Sequence, residues 1–114
     1  NYDDAKRAVL PFLRLGVEFV ALSIDGLGLL LASQQEMMLA TPPKVSIRNV
    51  TGAGDALMAG MAYGFARGMD LLEIARLGAA FSAVAVTTES LASVKNSDVE
   101  AMLPRVEVRT VNVM

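Results

Sequence analysis

The chain contains neither cysteine nor histidine. Those two absences remove disulfides, thiolate nucleophiles, imidazole bases and every Cys/His metal site, so any catalysis must run on carboxylates and backbone groups. A cysteine-free chain also suits a cytoplasmic setting, which is the expected location. Aromatic residues are scarce at 5%, although 54% of the 114 residues are hydrophobic. A core large enough for one domain must then be built from Ala, Leu, Val and Met, which suits helices packed closely on a sheet, an α/β layer architecture. Strong charge of one sign is missing too. The formal net charge is −2, and Lys and Arg are scattered, which argues against a nucleic-acid partner. The longest apolar stretches, "LLLA" at 29–32 and "LGAAFSAVAV" at 77–86, fall well short of the ~20 residues that span a bilayer. Neither a membrane partner nor a signal peptide is expected.

Periodicity supplies the organisation. Residues 3–15 put Ala5, Val9, Phe12 and Leu13 on one helical face, with Asp3 and Asp4 in the first turn and Pro11 inside. "EFVALS" at 18–23 and "LGLLLA" at 27–32 read as neighbouring strands joined by the turn "DGLG". In "EMMLATPPKVSIRNV" two prolines exclude a helix, and "KVSIRNV" alternates like a strand leading into the next loop. Ala56, Gly60, Gly64 and Gly68 then recur every four residues, a smooth helical stripe on which another backbone can lie. Gly68 ends that helix. Asp70 with Glu73 opens the next, "LLEIARLGAAFSAVAV", and Ser97 with Glu100 opens a short one through Leu103. "RVEVRTVNV" alternates as a final strand. Met37, Met38, Met58, Met61 and Met69 read as core filling.

The most informative stretch is "NVTGAGDALMAG" at 49–60. A Gly-Ala-Gly turn that delivers the chain into a helix points several backbone N–H groups at one spot, and the helix N-terminus adds partial positive charge there. That spot is an anion hole. Asp55, at the first helical turn, reads in isolation as a favourable partner of the helix dipole.

The whole string closely resembles the second signature of the ribokinase-like (pfkB-type) carbohydrate kinases. The resemblance extends over the "LSIDGLGLLLA" hairpin, the "PPKVSIRNV" lead-in and the long helix ending "AVAVTTES", in the family's order. It implies the C-terminal portion of a three-layer αβα, Rossmann-like fold. It also implies a longer parent, with the N-terminal substrate half and a small lid outside these residues. By resemblance Asp55 is the base that takes the acceptor hydroxyl proton, while the backbone N–H groups of Gly52, Ala53 and Gly54 surround the transferring phosphoryl group. The chemistry fits: phosphoryl transfer to an alcohol needs a base and fixed dipoles at the γ-phosphoryl oxygens. A carboxylate with a pKa near 4 is a weak base at neutral pH, so positioning matters more than basicity.

The resemblance also implies ATP and magnesium as cofactors. The family's nucleotide-phosphate turn corresponds to Ser23, Asp25, Gly26 and Gly28, with Asp25 in place of a glycine; a carboxylate there must turn away from a triphosphate or be bridged by magnesium. A plain hairpin turn is the alternative reading. Asn49 and Thr51 match positions that hold a monovalent cation, such as potassium, in many members, and Asn49 stands where an aspartate is frequent. Ser90 and Asn96 lie where the family closes the cation site and the nucleotide pocket. Strand-end and turn-forming roles are the alternatives for Asn49, Ser90 and Asn96.

The expected activity is ATP-dependent phosphorylation of a primary alcohol on a sugar or nucleoside. The lead-in "IRNVTGAGDALMAGMAYGFARGMD" looks most like pseudouridine kinases; 1-phosphofructokinase and tagatose-6-phosphate kinase are the alternatives within the family. A non-catalytic fragment or scaffold module is the alternative of another class. Strands taken from a longer sheet would expose an edge, so a homo-oligomer, or association with the N-terminal part, is expected.

Overall fold

The computed structural model describes residues 2–24, 28–50, 52–89 and 91–111. Helix α1 (Tyr2–Arg14) leads to strands β1 (Phe19–Ile24), β2 (Gly28–Ser33) and β3 (Met37–Thr41). Helices α2 (Ala53–Ala66), α3 (Leu71–Thr87) and α4 (Asn96–Met102) follow, and β4 (Glu107–Val111) closes the order. The four strands lie side by side as β1-β2-β3-β4, antiparallel throughout.

Two cores sandwich this sheet, because successive strand residues face opposite sides. Leu30, Ala32, Met37 and Leu39 meet Ala5, Val9 and Leu13 of α1 on one face. Leu29, Leu31, Met38 and Ala40 meet Ala75, Ala79 and Val84 of α3 on the other. The result is the expected three-layer αβα arrangement. Phe12 departs from expectation: the buried row of α1 is Ala5, Val9 and Leu13, spaced by four, and Phe12 beside it is 53% exposed.

Helix α2 packs on α3 through its small residues. A Cβ on Gly60 would stand 2.9 Å from the Leu77 carbonyl oxygen and 3.0 Å from the Gly78 Cα, and one on Gly78 would stand 2.9 Å from Met61 Cγ. The glycine stripe is therefore the contact surface between two backbones. It ends where expected: Gly68 donates to the Phe65 carbonyl at 3.1 Å and Met69 to the Gly64 carbonyl at 3.0 Å, closing the last turn of α2. Asp70 then caps α3, its Oδ1 accepting from the Glu73 N–H at 2.9 Å.

Further expectations need correction, among them Met58, expected to fill the core but 65% exposed. "KVSIRNV" forms no strand, and Met37–Thr41 takes the place beside β2. With β4 on its other side, β3 has no free edge left for residues 44–50 to pair with. The glycine loop therefore follows an irregular segment rather than a strand. The short helix α4 begins at Asn96 with Lys95 at its N-cap position, so Ser97 lies inside the helix and caps nothing.

Candidate functional site

The glycine loop opens α2. Gly52 occupies the N-cap position at φ 89°, a left-handed conformation that favours glycine. No side chain caps this helix. Helix geometry leaves the first N–H groups, those of Gly52 to Asp55, without acceptors inside the helix. Ala53 turns its N–H to the Val50 carbonyl at 3.3 Å, and the Ala56 N–H to Gly52 carbonyl bond at 2.9 Å starts the helical ladder. The donors left at the mouth include those of Gly54 and Asp55, and the Asp55 N–H is one that sequence reasoning passed over in favour of its carboxylate. That carboxylate is exposed in the first turn.

Gly54 differs from Gly52 in a way that bears on function. It sits inside the helix without a positive φ, and a Cβ added there would meet nothing within 4 Å. Among the described residues neither conformation nor packing requires a glycine at this position, and in a helix glycine costs about 1 kcal/mol relative to alanine. Its bare backbone leaves open space directly before the donor cluster.

The segment ahead of the loop is tied to the end of α3. The last four carbonyls of that helix have no acceptor role within it, and those of Val84, Ala85 and Val86 find other donors. Thr87 Oγ1 donates to Val84 at 2.7 Å and Thr88 Oγ1 to Ala85 at 2.8 Å. Val86 accepts from the N–H groups of Arg48 at 2.7 Å and Asn49 at 3.2 Å. Asn49 Nδ2 donates to the Glu89 carbonyl at 3.1 Å, and Arg48 Nη2 meets Glu89 Oε1 at 2.9 Å. A carbonyl accepts only from the amide nitrogen, so any part Asn49 takes in holding a cation falls to its amide oxygen.

The other expected residues come from β1, β2 and α4. Phe65, near the end of α2, stacks edge-on against Phe19 at the start of β1, ring centroids 4.7 Å apart. Ser23 lies next to the last residue of β1, and Gly28 opens β2. Ser23 is exposed. Gly28 has a reason of its own to be glycine: φ is 100°, and a Cβ would stand 2.0 Å from the Ala40 carbonyl oxygen. Asn96 is exposed and opens α4, whose far end reaches Leu103 beside Met69, Glu73 and Leu77, near the start of α3. Asp25, Gly26, Thr51 and Ser90 lie outside the described residues.

A cavity of about 510 Å³ opens toward the C-terminal end of α2, between Phe19, Phe65, Leu71 and the Ser33–Glu36 turn. Glu18 and Glu36 line it, so it would repel a phosphate, and volume alone does not make it the reactive site. Among the described residues no group of three or more acidic side chains could hold a metal ion, and no helix is long and apolar enough to cross a membrane.

An uncapped helix N-terminus with an exposed carboxylate, set on a three-layer αβα frame, is the arrangement of a ribokinase-like kinase. The structure of ribokinase from Thermotoga maritima superposes with a TM-score of 0.75 at 28% identity, covering 87% of this chain and 34% of that one. Phosphofructokinase-2 from Escherichia coli in complex with potassium shares the fold, with a TM-score of 0.83 at 23% identity, covering 91% of this chain and 34% of that one. Residues 1–98 match the pfkB family carbohydrate kinases. A 1-phosphofructokinase of Rhodobacter capsulatus is 39% identical over 80 residues, 70% of this chain and 25% of its own length. The chain belongs to the pfkB family of carbohydrate kinases, and it spans about a quarter to a third of the length of these relatives.

Proposed function

We propose that these residues form the C-terminal catalytic part of a longer ATP-dependent sugar kinase, whose acceptor is a primary alcohol of a phosphosugar, fructose 1-phosphate in the first place. The observation that carries the reading is Gly54, a glycine with no role in the fold, standing before the open N–H groups of α2. A terminal phosphate can approach there as closely as its oxygens allow. As the acceptor oxygen bonds to phosphorus and the bond to the leaving ADP breaks, the loop N–H groups hold the charge on the phosphoryl oxygens. The Asp55 carboxylate receives the proton that the hydroxyl loses. Magnesium would neutralise nucleotide phosphate charge, and with few carboxylates gathered here it would be held largely by the phosphates themselves.

The substrate preference differs from the pseudouridine expected from the lead-in sequence, which finds no support among the relatives named above. The 1-phosphofructokinase relative favours the phosphosugar alternative. A coupled ADP-release assay of the longer protein across fructose 1-phosphate, tagatose 6-phosphate, ribose, uridine and pseudouridine tests the choice. Fastest turnover is expected on fructose 1-phosphate; faster turnover on pseudouridine would reverse the preference, and none on any acceptor would favour a non-catalytic module.

A further inference from the structure

We propose that Arg48 and Glu89 are positioning residues that set the glycine loop against the end of α3; the inference rests on the kinase reading of that loop. Residues 42–50 carry no strand ladder, yet the loop that follows must hold its donors in place. Four contacts converge on one stretch of α3 and its exit: the Arg48 and Asn49 N–H groups on the Val86 carbonyl, the Asn49 amide on the Glu89 carbonyl, and the Arg48 guanidinium on the Glu89 carboxylate. The next residue, Val50, accepts the N–H of Ala53, the first residue of α2. The path from clamp to loop is thus a single residue and one hydrogen bond.

The ion pair has little other purpose. Its side chains are 59% and 77% exposed, and a pair so solvated contributes little to stability. It does join the two sides of the clamp at the side-chain level, and it sets a cation beside the negative end of the α3 dipole. Removing it leaves both helices packed but frees the lead-in to shift, and small misplacements at a reacting centre are expensive in rate.

The test uses the longer kinase carrying Glu89→Gln, Arg48→Met, and the swapped pair Arg48→Glu with Glu89→Arg. Each single variant is expected to lower kcat on the order of 10-fold to 100-fold, with KM for ATP within about twofold and the melting temperature unchanged. The swapped pair is expected to recover most of the loss. Unchanged kcat in both single variants, a fall in melting temperature with kcat intact, or a loss that the swap leaves untouched would each overturn the clamp. Asp55→Asn measured alongside separates the two ideas: if it keeps full turnover the kinase reading fails, whereas an inactive Asp55→Asn beside an unaffected Glu89→Gln sinks the clamp alone.

Discussion

The N-termini of α2 and α3 present the same problem and meet it in opposite ways. At α3, Asp70 stands in extended conformation and turns its carboxylate onto the Glu73 N–H. At α2, the cap is a glycine without a side chain, and the carboxylate of Asp55 is carried three residues inside, where it is exposed. One terminus is closed by its own chain; the other keeps its donors facing outward. A glycine cap gives up only a few tenths of a kcal/mol relative to an Asp or Ser, and under the proposed function a bound phosphate would accept from the donors that the missing side chain leaves open.

Substitutions at the two termini sharpen the contrast. The largest effect is expected from Asp55→Asn, which keeps the shape but cannot take the proton. In the longer kinase kcat should fall about 10²–10⁴-fold with nucleotide affinity retained, as read by steady-state kinetics and nucleotide titration. Gly54→Ala comes next and separates fold from function: kcat/KM should drop on the order of 100-fold as the methyl group crowds the donors, while urea unfolding shows stability unchanged or raised by up to about 1 kcal/mol. A fall in stability there would mean that the glycine serves the fold after all. Asp70→Ala, at the closed terminus, should do the reverse and lower stability by about 0.5–2 kcal/mol with kcat within twofold. If it cost activity as well, the two termini would not be divided as described.

Local chemistry made much of this legible in the sequence. The hairpin of β1 and β2, the closure of α2 at Gly68 and the Asp70 cap each depend on residues within a few positions of one another, and each stands as expected. The errors arose where the outcome is settled at a distance. "KVSIRNV" alternates well, but Arg48 and Asn49 spend their N–H groups on the Val86 carbonyl at the end of α3 rather than on a strand neighbour. The run "MMLAT" went unread as a strand because it is buried on both faces and shows no alternation. In the candidate site, the Gly-Ala-Gly-Asp string pointed to a helix start, whereas the Arg48–Glu89 pairing spans 41 positions and has no signal in either local sequence. Gly28 illustrates the limit from the other side: the sequence offered a nucleotide turn, while contact with the Ala40 backbone alone accounts for the residue.

The glycine stripe of α2 has a mechanical consequence. Where Gly60 lies on Leu77 and Gly78, backbone comes close to backbone, with the Phe81 and Met61 side chains at the margins of the contact. Shear motions in proteins proceed by small sliding of packed helices over interleaved side chains, and this contact offers few of them. α2 and α3 therefore move as a single bar, with the glycine loop at one tip and its lead-in anchored to the same bar at Val86.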